Sequence, residues 1–362
     1  MRRGEGETMP GLLHDLGLAG LAGDDPQALA RQIDAAAGVA ELAASAARVD
    51  AIVALLHGGG LKIERIATLV GALNARLFAR LWSMVAPPEL VANSCLVVMG
   101  SEGRGEQLLK TDQDNALLVR DGFECPGLEA IAAQFSAGLA ALGYPQCPGR
   151  IMVINPLWRQ PLAAFKATLR DWVYGTQPEG PMQLAIFIDS LAVAGNAALL
   201  TEARDHLDRI LDRADVFFAR FASAIDLFDP HPHWWHRLIA RDDDDEALDL
   251  KKLGTFPIVH GVRALALQKR LRVNGTQERL RLLAEQQQIE PALARDVLDA
   301  LHYVMALKLS CQLRQKQAGQ VPGNRVRPSE LGTLERDTLR AALGIVRRFR
   351  GEIHQRFRLD AL

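Results

Sequence analysis

Two short apolar runs with a glycine turn and two aspartates between them limit the fold more than any other feature of the chain. The first run, residues 95–99, ends at Gly100, and the second, residues 116–119, begins directly after Asp112 and Asp114. Short apolar runs bounded by turn residues are typical of strands. Side chains alternate between the faces of a strand, so the two carboxylates are predicted to point the same way and to share metal ions.

The periodicity of the rest of the chain predicts helices on both sides of a small sheet. Apolar residues recur every three or four positions over residues 63–81, 128–142, 161–174, 257–272, 291–317 and 329–357, and helical stretches are also predicted over 25–56 and 197–228. Two further apolar runs, 151–154 and 185–188, predict the third and fourth strands. We therefore expect an α+β fold, in which helices flank a mixed sheet.

Three domains are expected from these shifts in pattern. Residues 1–90 form an N-terminal helical segment, residues 91–195 hold the mixed sheet and the aspartates, and residues 196–362 form an antiparallel helical bundle. A loop with Pro230, Pro232 and the acidic run 242–245 is predicted within the last of these.

Composition excludes several classes of protein. The formal net charge of -1 gives no basic footprint for nucleic acid, and the longest apolar runs are too short for a membrane span. Four scattered cysteines without metal-binding spacing, and an N-terminus without an apolar signal region, favour a cytoplasmic protein with reduced thiols.

The chemistry of the central motif suits a polyphosphate held with Mg²⁺. Mg²⁺ prefers oxygen ligands and usually keeps waters and substrate phosphates in its shell, so two aspartates suffice as its protein anchor. Gly100 and Ser101 would let the backbone approach the phosphates, and Arg104 can add a charge-assisted contact to them. Glu106 has two open interpretations, as a ligand or base and as a helix cap or arginine partner.

The stretch GSEGRGEQLLKTDQDNALLV, residues 100–119, resembles the nucleotidyltransferases of the DUF294 family. That family belongs to the superfamily of DNA polymerase beta and kanamycin nucleotidyltransferase, and is related to the N-terminal part of the bacterial PII-protein uridylyltransferase. Further matches to the family pattern are Asn155-Pro156-Leu157-Trp158, the segment 186–189, the segment 248–254 and Leu334-Glu335-Arg336.

The resemblance implies a role for each residue of the motif. Asp112 and Asp114 would be catalytic metal ligands for Mg²⁺ or Mn²⁺, and Gly100 and Ser101 the phosphate-facing turn. Asp189 is the best candidate for the third carboxylate, with Asn155 as the competing position. Family members commonly have Asp-x-Arg here, whereas this chain has Asp189-Ser190-Leu191 and so lacks that cation.

The C-terminal bundle is predicted to bind the acceptor substrate. Lys251, Lys252 and Arg263 could line a substrate cleft, or could form a surface ion-pair network with the acidic run at 242–246. The two interpretations remain open.

The sequence thus predicts two-metal transfer of a nucleoside monophosphate from a nucleoside triphosphate to an acceptor. The resemblance to the PII uridylyltransferase suggests a protein side chain as that acceptor, and with it a role in signal transduction. The alternative is a catalytically weak nucleotide-binding signalling module of the same fold.

Overall fold

The computed structural model of the chain describes residues 25–212, 214–228 and 247–361. It divides into two compact units: the first comprises residues 25–170 with 189–209, and the second residues 171–188 with 210–212, 214–228 and 247–361. The predicted loop with Pro230, Pro232 and the acidic run 242–245 lies outside the described residues, as does the beginning of the predicted N-terminal segment.

Unit 1 combines helices with a four-stranded sheet. Two of its described helices start at proline. The helices are α1 (Pro26–Ala35), α2 (Val39–Gly58), α3 (Ile63–Val85), α4 (Pro88–Ala92), α5 (Gly100–Gly103), α6 (Leu128–Ala141), the first part of α7 (Leu162–Tyr174), and most of α9 (Ala198–Leu211). Asp25 caps α1 by accepting hydrogen bonds from the backbone N–H groups of Gln27 and Ala28. The apolar stripe of α3 is buried against α1, α2 and α6.

The sheet of unit 1 has the strand order β3-β2-β1-β4. Its strands are β1 (Ser94–Val98), β2 (Asn115–Val119), β3 (Arg159–Pro161) and β4 (Leu191–Gly195). The central strand β1 pairs antiparallel with both β2 and β4, and β2 pairs parallel with β3. Every residue of β1 and β2 is buried, which explains their unbroken apolar runs. The predicted α+β class is confirmed.

The first two predicted strands are confirmed, but the two later ones are wrong. Residues 151–154 form turns, anchored to β2 because Asn115 donates its N–H to Ile151 O and accepts from Val153 N–H. Residues 185–188 end helix α8 (Gly180–Ile188), which starts beside Pro181. A four-residue apolar run cannot distinguish a strand from a buried helix, whereas the edge strand β4 has a weaker apolar pattern that is only half buried.

Unit 2 is a helical bundle with one short antiparallel pair of strands. Besides α8 and the end of α7, it contains α10 (Asp215–Ala222), α11 (Phe256–Gln268), α12 (Thr276–Glu285), α13 (Pro291–Gln317), α14 (Thr333–Phe357), and the strands β5 (Leu248–Asp249) and β6 (Arg325–Val326). Helix α11 lies at its centre, since residues 257–267 are all buried, and α13 packs along α14.

Several helix boundaries differ from the predicted ones. The predicted helix over 25–56 is interrupted at residues 36–38, where Gly38 is extended, and the one over 197–228 is divided into α9, α10 and a short 3-10 turn. Helix α12 was not predicted, and α14 starts at Thr333 rather than at 329. Within the ranges that the structure describes, no helix is both long and apolar enough to cross a membrane.

Candidate active site

The turn that follows β1 lies directly against the second aspartate. Met99 N–H donates to the Asp114 carbonyl oxygen at 2.9 Å, so the two chain segments are joined where the strands β1 and β2 meet. Gly100 has a φ of +59°, and a Cβ at this position would lie 2.7 Å from Asp114 Oδ2. Glycine is therefore required both by the backbone conformation and by the closeness of the carboxylate.

Residues 112–115, of which only Asn115 belongs to β2, alternate between more accessible carboxylates and buried amides. Asp112 is exposed and Asp114 half-buried, whereas Gln113 and Asn115 are fully buried. The Gln113 amide donates to the backbone oxygens of Ser136 and Tyr144, which ties this segment to α6 and to the turn after it. The buried amides fix the segment, in which the Asp112 side chain is exposed and the Asp114 side chain is partly covered.

Ser101 is held by a neighbouring amide. Its hydroxyl donates to Gln107 Oε1 at 2.8 Å, and the Thr111 hydroxyl donates to the same oxygen at 3.0 Å. Gln107 thus joins the glycine turn to the start of the acidic segment. A role for Gln107 is not predicted from the sequence. The one feature that indicates it is a polar side chain placed between the glycine turn and the aspartates.

Arg104 and Asp189 form an ion pair in the interior of unit 1. Arg104 Nη1 lies 2.7 Å from Asp189 Oδ2, and Arg104 Nε lies 2.6 Å from Glu106 Oε2. Asp189 is fully buried, and the Arg104 side chain is 11% exposed. Burial by itself would lower the pKa of Arg104, but the two carboxylates raise it above its usual value. The sequence predicts a phosphate contact for Arg104 and a metal contact for Asp189. In the structure the two side chains bind each other.

Glu102 is a buried carboxyl group that the sequence reasoning missed. Its side chain, two residues after Gly100, is only 6% exposed, and neither carboxyl oxygen has a hydrogen bond of good geometry within the described part of the chain. Burial raises its pKa to about 8, the nearby Asn74 amide offsets part of the rise, and the charge of Asp114 adds to it. Its position inside the motif was the signal that could have found it.

The remaining predicted residues lie elsewhere. Asn155 shapes a local turn, since its side chain accepts from Leu157 N–H and donates to Arg150 O. In unit 2, Lys251 and Lys252 are exposed, and their backbone N–H groups donate to Asp249 Oδ1.

Arg263 differs from these two lysines because it is buried on α11. It is 6% exposed, and its Nη1 lies 3.3 Å from His260 Nδ1. The predicted contribution of all three residues to a substrate cleft stays a prediction.

Asp112 and Asp114 offer the kind of oxygen ligand that Mg²⁺ prefers. Asp114 Oδ2 lies against Gly100, where a Cβ would approach it to 2.7 Å. Among residues 25–212, 214–228 and 247–361, no three His, Cys, Asp or Glu side chains are grouped to hold one ion. The assignment of Asp189 as a third ligand remains a prediction from the sequence.

Two family models match the chain. Residues 47–179 match the model described as "Putative nucleotidyltransferase DUF294", and residues 215–357 match the model described as "Putative nucleotidyltransferase substrate binding domain". A search of curated proteins found no match. The matched models cover one region of the nucleotidyltransferase type and one region of the substrate-binding type. The chain belongs to the DUF294 family, as its central motif predicts.

Proposed function

We propose that this protein transfers a nucleotidyl group from a nucleoside triphosphate to an acceptor, and that Asp112 and Asp114 hold the Mg²⁺ of the reaction. The observation that carries the proposal is the contact between the glycine turn and the acidic segment. Gly100 brings bare backbone next to Asp114 Oδ2, so a metal ion on the carboxylates and a phosphate on the turn would be neighbours.

Each part of the site has a distinct task in this proposal. When bound, Mg²⁺ would neutralise phosphate charge and stabilise the oxygens between which the phosphoryl group moves. The protein binds and orients: the buried amides of Gln113 and Asn115 hold the acidic segment, and Gln107 holds Ser101. Such preorganisation is the protein's main contribution to phosphoryl transfer.

We further propose a protein side chain as the acceptor. The support is the likeness of the motif at residues 100–119 to the N-terminal part of the PII-protein uridylyltransferase, and the presence of a domain of the substrate-binding type at residues 215–357. A shared scaffold does not fix the acceptor, so the experiment must leave the acceptor free to vary.

The test is to incubate the full chain with α-labelled ATP, UTP, CTP and GTP, Mg²⁺ or Mn²⁺ and a cell extract. We expect pyrophosphate release and label on protein with at least one nucleotide. Asp112→Asn and Asp114→Asn should each reduce both signals by at least a hundredfold, because each removes a metal ligand. Glu124→Gln, an exposed carboxylate of the same unit, is the matched control and should leave both signals unchanged.

The other outcomes separate the alternatives. Pyrophosphate release with label on RNA or a small molecule would keep the transfer reaction and refute the protein acceptor. Tight Mg²⁺-dependent nucleotide binding with no turnover would refute the enzyme and favour a nucleotide-sensing module. Binding of none of the four nucleotides would refute both.

A further inference from the structure

The buried Asp189 carboxylate is neutralised from within the protein. Its Oδ2 lies 2.7 Å from Arg104 Nη1, and the same guanidinium extends to Glu106 Oε2 at 2.6 Å. A buried carboxylate of this kind needs a cation, because its charge has lost the solvation that water would supply. Arg104 is that cation, although it lies 85 positions from Asp189 in the sequence.

Backbone packing holds the same two segments together independently of the charges. A Cβ on Gly103 would lie 1.9 Å from the Asp189 carbonyl oxygen and 2.8 Å from that of Val98. No side chain can be accommodated at those distances, so Gly103 is the residue that lets α5 lie against the segment before β4. Ser190, which follows Asp189 in the chain, accepts a hydrogen bond from Arg204 at its carbonyl oxygen.

Each end of helix α5 therefore makes a contact with a different segment of the chain. Its first residue, Gly100, lies against Asp114, and its last, Gly103, lies against Asp189. Arg104 follows immediately and fixes the second contact with its side chain. The four residues of α5 thus connect the Asp189 segment with the acidic segment.

The geometry also opposes the direct roles that the sequence predicts for this pair. Arg104 already binds two carboxylates through Nη1 and Nε and is 11% exposed, and Asp189 is fully buried with its Oδ2 on the Arg104 guanidinium. A metal ion on that oxygen would have to displace the guanidinium, which would leave a desolvated charge without its partner. A phosphate on Arg104 would have to reach a largely buried guanidinium whose charge two carboxylates already balance.

We propose that Arg104 and Asp189 are positioning residues that hold the Gly100–Gly103 turn in its nucleotide-binding position, and that neither contacts the triphosphate or its metal ion. This inference rests on the proposed function only in naming the turn as the nucleotide site. It also accounts for the missing arginine after Asp189, since a carboxylate used for positioning needs no second cation beside it.

A double-mutant cycle tests this proposal. Arg104→Met, Asp189→Leu and the double variant are made in a Glu106→Gln background, so that no other carboxylate loses its partner. Thermal unfolding gives Tm, and titration with Mg·ATP and the other Mg·nucleotides gives Kd. Each single variant should lower Tm by about 10 °C and weaken nucleotide binding at least tenfold, because it removes one partner of a buried ion pair. The double variant should recover most of the Tm and bind within about threefold of the background protein.

Direct ligand roles predict the opposite for binding. If Arg104 contacts phosphate or Asp189 contacts metal, the double variant binds no better than the worse single variant even where its Tm recovers, and the proposal is overturned. Additive losses of Tm would overturn it as well. Should the parent protein bind no nucleotide, the proposed function fails, and the Tm cycle still decides whether the pair is coupled.

A milder variant covers the case in which the apolar replacements do not fold. Asp189→Asn keeps the shape of the side chain and one acceptor for Arg104. Mn²⁺ affinity, measured by electron paramagnetic resonance without nucleotide, should stay within about twofold of the parent for Asp189→Asn and fall at least tenfold for Asp114→Asn. Equal losses in the two variants would show that Asp189 is a metal ligand.

Discussion

At the scale of single residues, two neighbours in the motif have different tasks. Gly100 brings backbone to the Asp114 carboxylate, whereas Glu102 turns into the core and carries a raised pKa. The residue types and spacing of the motif predict a glycine turn near the aspartates, but the contact of Gly100 with Asp114 is visible only in the structure. The raised pKa of Glu102 follows from its burial, which the local sequence does not show.

Gly100→Ala should disrupt the acidic site more than the fold. The φ of +59° costs an alanine about 1 kcal/mol, and its Cβ would force Asp114 Oδ2 away from 2.7 Å. We expect Mn²⁺ affinity to fall at least tenfold. Gly105→Ala is the matched control, because Gly105 also has a positive φ, +65°, but open space at its Cβ. It should lose similar stability and keep its Mn²⁺ affinity; equal Mn²⁺ losses would contradict the role of the contact.

Glu102→Gln should stabilise the protein in a pH-dependent manner. The pKa of Glu102 is raised from about 4.5 in the unfolded chain to about 8 in the fold, so the wild type loses stability as the pH rises between these values. The glutamine side chain of the variant does not ionise, so this loss of stability is absent from the variant. In EDTA, the Tm advantage of the variant should therefore be near zero at pH 4.5 and grow up to pH 8. A constant difference over this range would show that Glu102 has an ordinary pKa.

At the scale of elements, the long helices and the two central strands follow from the sequence, because each buries its own apolar pattern. Segments that depend on neighbours were harder to predict. Residues 185–188 are apolar on all sides and became the end of α8, whereas β4 is a strand because β1 offers it an open edge to pair with. The register with β1, which changes between Leu96 and Val97, is a tertiary property.

The end of α14 provides a prediction of pH dependence in unit 2. His354 contacts Asp226 at 2.9 Å and Asp360 at 3.1 Å, and Arg350 also bonds to Asp226. Burial would lower the pKa of His354, but the hydrogen bonds and charges of the two aspartates raise it above its ordinary value. A histidine with a raised pKa stabilises the fold fully below about pH 6.5, and the effect disappears as the pH rises through the folded-state pKa.

His354→Gln should accordingly lower Tm more at pH 5.5 than at pH 9. His57→Gln is a control of opposite sign, because burial lowers the pKa of His57 at the end of α2, so its replacement should favour the fold most at low pH. Differential scanning fluorimetry across this pH range measures both. The same pH response in the two variants would contradict the assignment.

At the scale of the whole molecule, nucleotide binding should stabilise the protein. A ligand that binds only the folded chain adds about 2.7 kcal/mol at a concentration of 100 times its Kd, which raises Tm by several degrees. The matching Mg·nucleotide should produce this shift, and Asp112→Asn should abolish it while Glu124→Gln keeps it. An equal shift in Asp112→Asn would place the nucleotide away from the acidic segment.

The sequence by itself determined the α+β class, the strands on both sides of the motif, most helices and the family. These depend on local spacing: apolar period, turn glycines, and aspartates two residues apart. Only the tertiary structure decided that Arg104 binds Asp189, that Glu102 is buried, and that β4 completes the sheet. Each of these joins segments distant in the sequence, and whether a charge finds water or a partner depends on what the fold places beside it.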